Sequence, residues 1–215
     1  MTVHQLALQF VDDMKKTGAL EYIAVVAGIV SVWFSRKENI WVYPTGLIGT
    51  IIYIYLSFKV GLYGEGSVNF YYTVMSIYGW ILWTRKDIQQ HLVLKISSST
   101  KKEWIQHLAF CALFYVVIYA ILYWLKKNEY AKEAIPWADA FASATAFTGM
   151  WLMAKKKVES WYWWIATNFA SIPLYFVKHY VFTSVLYLVL LIMAVFGLIE
   201  WMKRKNSYET VAQSI

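Results

Sequence analysis

The sequence predicts an all-α integral membrane protein with seven transmembrane helices, arranged as two parallel three-helix repeats around one central helix, a 3+1+3 plan. Three observations lead there. Seven apolar runs free of Asp, Glu, Lys and Arg fill most of the 215 residues. A spanning helix needs about 20 predominantly apolar residues, and each run reaches that length alone or with its apolar flank. Landmarks in the first three runs recur in the same order in the last three.

Taken in order, residues 1–18 read as an amphipathic interfacial segment. Leu6, Phe10 and Met14 stand four apart, while Asp12, Asp13, Lys15 and Lys16 are polar. The stretch lacks the basic start and small-residue cleavage site of a signal peptide. Residues 19–86 form the expected first repeat, with runs Tyr22–Ser35, Asn39–Phe58 and Gly66–Thr84. Residues 87–133 form a linker region whose central helix is expected over 104–125. Residues 134–203 form the second repeat, with runs Ala140–Ala154, Ser160–Val177 and His179–Ile199. Residues 204–215 remain as a tail. Seven spans leave no room for a soluble catalytic domain, and Cys111, the single cysteine, forms no intrachain disulfide.

The net charge of +7 follows from loop charges and implies no nucleic-acid partner. Seven spans put the termini on opposite sides. Seven Lys and Arg fall on the N-terminal side and thirteen on the other. Basic loops stay in the cytoplasm, so the N-terminus is expected outside and the C-terminus inside. Trp41, Trp83, Trp104, Trp124, Trp137 and Trp201 lie at run edges, where aromatic side chains meet the lipid headgroups.

Within the repeat, Trp41 aligns with Trp161 and Tyr55 with Tyr175, at a spacing of 120 residues; Gly79 and Trp83 align with Gly197 and Trp201 at 118. Parallel repeats of this kind often hold solute between them near the bilayer midplane.

Helical spacing places Trp161, Trp164, Asn168, Ser171, Tyr175 and Lys178 on one face. Pro173 frees the carbonyl of Phe169 on that helix. Aromatic rings and a mid-membrane amide suit a flat polar ring. The matching face in the second run is expected to be Trp41, Pro44, Ile48, Ile51 and Tyr55. The third run offers Asn69, Tyr72, Ser76 and Trp80, and the fifth offers Thr145, Phe147, Thr148 and Trp151. The candidate binding residues are therefore Trp161, Trp164, Asn168, Asn69, Tyr72, Thr148, Phe147 and Tyr175. A membrane Asn also serves as interhelical glue, contributing about 1 kcal/mol. Span Thr residues commonly bond to their own backbone. Both readings stand for these residues at this level.

No acid or Lys lies mid-run, so neither a proton relay nor a Schiff-base lysine is expected. HExxH, Cys/His clusters and a P-loop are missing. The chain is accordingly read as a non-enzyme without metal or cofactor, and a pore of this composition favours facilitated diffusion over pumping. A non-transporting receptor and a carrier coupled to sodium through backbone carbonyls stay open as alternatives.

The segments Trp161-Tyr162-Trp163-Trp164-Ile165-Ala166-Thr167-Asn168, Ile172-Pro173-Leu174-Tyr175-Phe176-Val177-Lys178 and Ser76-Ile77-Tyr78-Gly79-Trp80-Ile81-Leu82-Trp83 resemble the signature of PnuC-type nicotinamide riboside transporters. The resemblance runs from about Glu21 to Lys203. It implies a plan similar to the SWEET sugar transporters and a homotrimer in the bacterial inner membrane, embedded in lipid. It further implies facilitated uptake of nicotinamide riboside or a related cationic vitamin, with trapping by a cytoplasmic kinase. On this resemblance Trp161, Trp164 and Asn168 match the substrate motif, with Asn69 as a further contact. Relatives that carry thiamine or riboflavin keep other vitamins open.

Overall fold

A computed structural model describes residues 3–59, 63–86 and 93–213. Residues 87–92 of the expected linker, and the last two residues of the expected tail, lie outside the described residues. Eight helices follow one another: α1 (Val3–Lys16), α2 (Ala19–Arg36), α3 (Val42–Lys59), α4 (Tyr63–Thr84), α5 (Lys101–Lys127), α6 (Pro136–Ala154), α7 (Ser160–Val177) and α8 (Val181–Gln213). Each of the seven apolar runs lies on one of α2 to α8. By length and composition, Ala19–Arg36, Lys101–Lys127 and Val181–Tyr208 are long and apolar enough to cross a membrane. The remaining four carry more Tyr, Trp, Ser, Thr and Asn, which lowers their apolarity.

Local chemistry sets the helix boundaries. α5 starts in a capping box: the Glu103 N–H donates to Thr100 Oγ1 at 3.3 Å, and the Thr100 N–H donates to Glu103 Oε2 at 2.7 Å. Pro136 opens α6, where a missing N–H costs nothing. Asp139 Oδ2 then accepts from the Ile135 N–H at 2.7 Å, while its Oδ1 pairs with Lys178 at 2.6 Å. α1 lies along α8, with Phe10 and Phe182 ring centroids 5.6 Å apart. Asp13 accepts from the Phe182 N–H at 3.2 Å and so caps the start of α8.

Six helices close into a ring. α2 packs on α3, α3 on α4, α4 on α6, α6 on α7, α7 on α8, and α8 back on α2. α5 stands outside the ring against α6, which explains why α6 is buried along most of its length.

Contacts in this ring recur at a spacing of 118 residues. Tyr43 lies edge-on to Trp83 at 5.2 Å, and Trp161 lies edge-on to Trp201 at 5.6 Å. A Cβ at Gly79 would collide with the Tyr43 ring; one at Gly197 would sit 2.5 Å from the Trp161 ring. Lys37 Nζ rests over Trp33 at 4.8 Å, and Lys155 Nζ over Trp151 at 4.3 Å. The turns after α2 and α6 each hold a non-glycine residue in the left-handed region, Glu38 at φ 55° and Lys156 at φ 52°.

This register corrects the alignment expected for the second and sixth runs. Trp161 corresponds to Tyr43, not to Trp41. The expected inner face of α3 is an outer face: Trp41, Ile48, Ile51 and Tyr55 are all about half exposed, whereas Tyr43 and Ser57 are buried. Matching one Trp to another misled the comparison, because twelve Trp in the chain make such coincidences common.

Hydrophobic burial concentrates at one end of the ring. Tyr43, Trp83, Met153, Trp161 and Trp201 belong to a single buried cluster there. Trp83 Nε1 donates to the Ala154 carbonyl at 3.2 Å, and Trp201 Nε1 to the Ser35 carbonyl at 3.0 Å. The segment before α5 is pinned to the same end. The Ser97 N–H donates to the Lys156 carbonyl, the Val158 N–H to the Ser97 carbonyl, and Ser99 donates twice to Glu159.

Candidate substrate site between α4, α6 and α7

The predicted face of α7 does point into the ring. Trp161, Asn168 and Ser171 are buried, while Tyr162, Phe169 and Phe176 on the opposite side are exposed. Lipid-compatible aromatics therefore occupy one side of the helix and the polar groups the other, as the spacing requires.

Three of the candidate residues meet directly. Tyr72 of α4 lies edge-on to Phe147 of α6 at 6.0 Å and tilted to Trp164 of α7 at 6.3 Å. Tyr71, which the sequence did not single out, stacks on Phe147 at 4.1 Å and donates its hydroxyl to the Phe147 carbonyl at 3.0 Å. It locks the Phe147 ring against the seam between α4 and α6. Gly149 makes room for Trp164, since a Cβ there would approach the indole to 3.2 Å.

Asn168 lies one turn beyond Trp164 on the same face and is 4% exposed. Its side chain makes no hydrogen bond among the described residues, and its amide atoms are not among the fully enclosed unpartnered ones. Thr148, the neighbour of Phe147, spends its hydroxyl on its own helix, donating to the Ala144 carbonyl at 2.8 Å. Thr167 joins α7 to α6 through the Thr145 hydroxyl at 2.9 Å. Helix–helix adhesion is thus supplied by Thr167, and Asn168 is left over.

The other candidates lie elsewhere. Trp161 is 2% exposed in the end cluster, wedged on Gly197, and its Nε1–H has no partner among the described residues. Asn69 donates to the Glu65 carbonyl of its own helix at 3.0 Å. Tyr175 stacks on Tyr187 of α8 at 5.1 Å, nearer the opposite end. Tyr187 escapes the sequence reading because its own face of the seventh run, shared with Leu190, Ala194 and Leu198, reads as mostly apolar. A separate surface depression lined by Lys126, Lys132 and Lys178 is basic and holds none of the candidates.

Apolar helices closed in a ring, with an uncharged aromatic seam between them, have the build of a membrane transporter. The residues 18–203 match the model of the family described as nicotinamide mononucleotide transporter, and the chain belongs to that family. It is 24% identical over 201 residues to the nicotinamide riboside transporter PnuC of Escherichia coli, covering 85% of this chain and 84% of that protein. It is 21% identical over 187 residues to the riboflavin/roseoflavin transporter RibM of Streptomyces davaonensis, covering 86% and 85%. Among solved structures it resembles the crystal structure of the vitamin B3 transporter PnuC, with TM-score 0.68 and 25% identity over 94% of this chain and 88% of that one. Family and fold are those of transporters, and the apolar helices make this a multi-pass protein of the bacterial inner membrane.

Proposed function

We propose that this protein carries nicotinamide riboside across the inner membrane by facilitated diffusion. The observation that carries this reading is the Asn168 side chain, which makes no hydrogen bond among the described residues and lies one turn from Trp164, itself in contact with the Tyr72 and Phe147 cluster. The pyridinium ring of nicotinamide riboside is a delocalised cation. Each aromatic face attracts such a charge by about 0.5–2 kcal/mol, and the spare amide matches the ligand's carboxamide. Tyr175 and Asn69 would line the approach from the α1 end, with Thr148 backing the site. Trp161 would close it from the other end.

Charge separates the riboside from its nucleotide. A phosphate wants Arg or Lys, and none occurs within the apolar runs of α4, α6 or α7. The family description names the mononucleotide; this chain's seam suits the unphosphorylated nucleoside.

The proposed membrane plan has seven spans, α2 to α8. Helices α2–α4 and α6–α8 form two parallel repeats, 19–86 and 134–203, with α5 as the reversing helix in the linker 87–133, a plan similar to the SWEET transporters. α1 would lie in the outer interface within 1–18. The basic residues around Arg36, Lys155 and Arg204 would face the cytoplasm, along with the tail from residue 204. The ring contacts and the recurrence at 118 residues support this plan. A homotrimer and a cytoplasmic kinase that traps the product by phosphorylation complete the proposal.

Counterflow of labelled nicotinamide riboside in proteoliposomes tests the function. A receptor would bind without flux, and a gradient-driven carrier would accumulate substrate only with sodium or protons present. The relative named for riboflavin supports a second reading, another flat B vitamin. Competition by riboflavin, thiamine and the mononucleotide decides among them: the proposal requires that none displaces the riboside at equal concentration.

A further inference from the structure

At one end of the ring, residues touch their own counterparts. Ser35 and Met153 stand 118 residues apart and meet through an Oγ–H to Sδ hydrogen bond of 3.0 Å. Glu38 and Lys156, again 118 apart, form an ion pair of 2.7 Å with the two side chains 9% and 2% exposed. Trp83 and Trp201, also 118 apart, place their ring centroids 6.0 Å from each other. In an assembly of two related halves, a residue can reach its own counterpart only beside their common axis. Three such pairs at one level therefore mark where the axis leaves the ring, and they fill it.

The opposite end differs. Among the described residues, no counterpart pair there is joined by a hydrogen bond, ion pair or ring contact. The first-turn acids Glu21 and Asp139 are counterparts, yet Asp139 turns to Lys178 of its own half.

We infer that the Glu38–Lys156 pair, with Ser35–Met153 and Trp83–Trp201 beneath it, is a gate that closes the solute path at the end carrying the basic turns, and that the two halves part there during transport. This rests on the proposed carrier reading, which places that end in the cytoplasm. The chemistry suits a latch. Lys156 Nζ also lies over the Trp83 ring at 4.6 Å, so the pair is dry on one side. Glu38 is held from a third element, since Tyr208 donates to it at 2.9 Å and Arg204 lies 3.8 Å away, both on the last turns of α8. A buried ion pair is costly to break by removing one partner, whereas its desolvation cost offsets much of its attraction, so wetting both charges together costs little. Parting the halves delivers both charges to water together, so opening leaves neither charge buried alone.

The test uses the full-length protein in liposomes, with Cys111→Ala as background and a single cysteine at Ser171, 1% exposed on the inner face of α7. A membrane-impermeant maleimide is applied to one side at a time. Glu38→Gln and Lys156→Met should each raise labelling from the basic-turn side by about tenfold, equivalent to ~1.4 kcal/mol off the barrier to opening. The exchange Glu38→Lys with Lys156→Glu should bring it back toward the background rate. Labelling that stays unchanged overturns the gate, and so does labelling that rises equally from both sides, which marks general loosening. In a second arm, cysteines at Ser35 and Met153 are joined by a short thiol crosslinker. Riboside flux should be lost and equilibrium affinity kept; undiminished flux overturns the inference. If the protein without the crosslink moves no riboside at all, the substrate reading fails, while the labelling arm still decides the gate.

Discussion

Asn168→Leu separates a ligand contact from structural glue, because the two roles predict different changes in stability. Both side chains carry four heavy atoms branched at Cγ, so the swap keeps the branching while removing the polarity. In the folded protein Asn168 is 4% exposed as a residue, and its side chain makes no hydrogen bond among the described residues. An amide without a protein partner supplies no adhesion between helices, so leucine should not lower thermal stability in detergent. If the amide pairs with the ligand's carboxamide, its loss leaves a buried group of the ligand unpaired. That costs about 1–3 kcal/mol, or roughly 5- to 150-fold in Kd. Calorimetric titration with nicotinamide riboside and a melting curve on the same preparation give both numbers. An unchanged Kd refutes the assignment of Asn168. A fall in melting temperature with unchanged Kd would show adhesion between α7 and a neighbour instead.

Trp164→Leu removes one aromatic face, and calorimetry should show a loss of about 0.5–2 kcal/mol in riboside binding. Gly149→Val places atoms where a Cβ alone already reaches 3.2 Å from the Trp164 indole; the ring must shift, and affinity should fall by about tenfold. Gly197→Ala drives a methyl against Trp161 in the end cluster, so the melting temperature should drop by the equivalent of about 1–3 kcal/mol. A single cysteine at Ser207 in the Cys111→Ala background should react with an impermeant thiol reagent from the cytoplasmic side alone, which checks the orientation.

Much of this was readable in the sequence where a helix has two unlike sides. On α7 the spacing of Trp164, Asn168 and Ser171 identified the inner face, because lipid and protein interior select different side chains. The apolar run alone places the start of α5 at residue 104; the capping box of Thr100 and Glu103 starts the helix at Lys101. The α3 register was not readable. Its inner face, Tyr43, Gly46, Thr50 and Tyr53, carries no Trp or side-chain amide to mark it, and the best identity match, Trp41 with Trp161, is two residues out. Glu38 and Lys156 are counterparts of opposite charge, so a comparison by similarity could never pair them; backbone φ and the ion pair do. Depth was the other missing quantity. Helical periodicity put Trp161 on the same side as Trp164 but could not say that one turn carries it from the seam into the packed end.

The corrected register also shows that counterpart positions in the middle of the ring carry unlike residues. The counterpart of Trp164 is Gly46, and the counterpart of Gly149 is Ser31. In the second half a large ring on α7 leans over a glycine on α6; in the first half a glycine on α3 faces a serine on α2, with a Cβ at Gly46 only 3.0 Å from Ser31 Oγ. The same swap continues one turn on, where Asn168 is matched by Thr50, whose hydroxyl is already engaged by Thr73 at 2.9 Å. The end of the ring keeps its matched aromatic pairs, because sealing the axis rewards equal shapes on both sides. The middle does not, because a nucleoside is a flat cation at one end and a hydroxylated ring at the other. Large and unpartnered groups were placed on one half and small, self-satisfied groups on the other. At the proposed site, that division would give the solute a single orientation between the two halves.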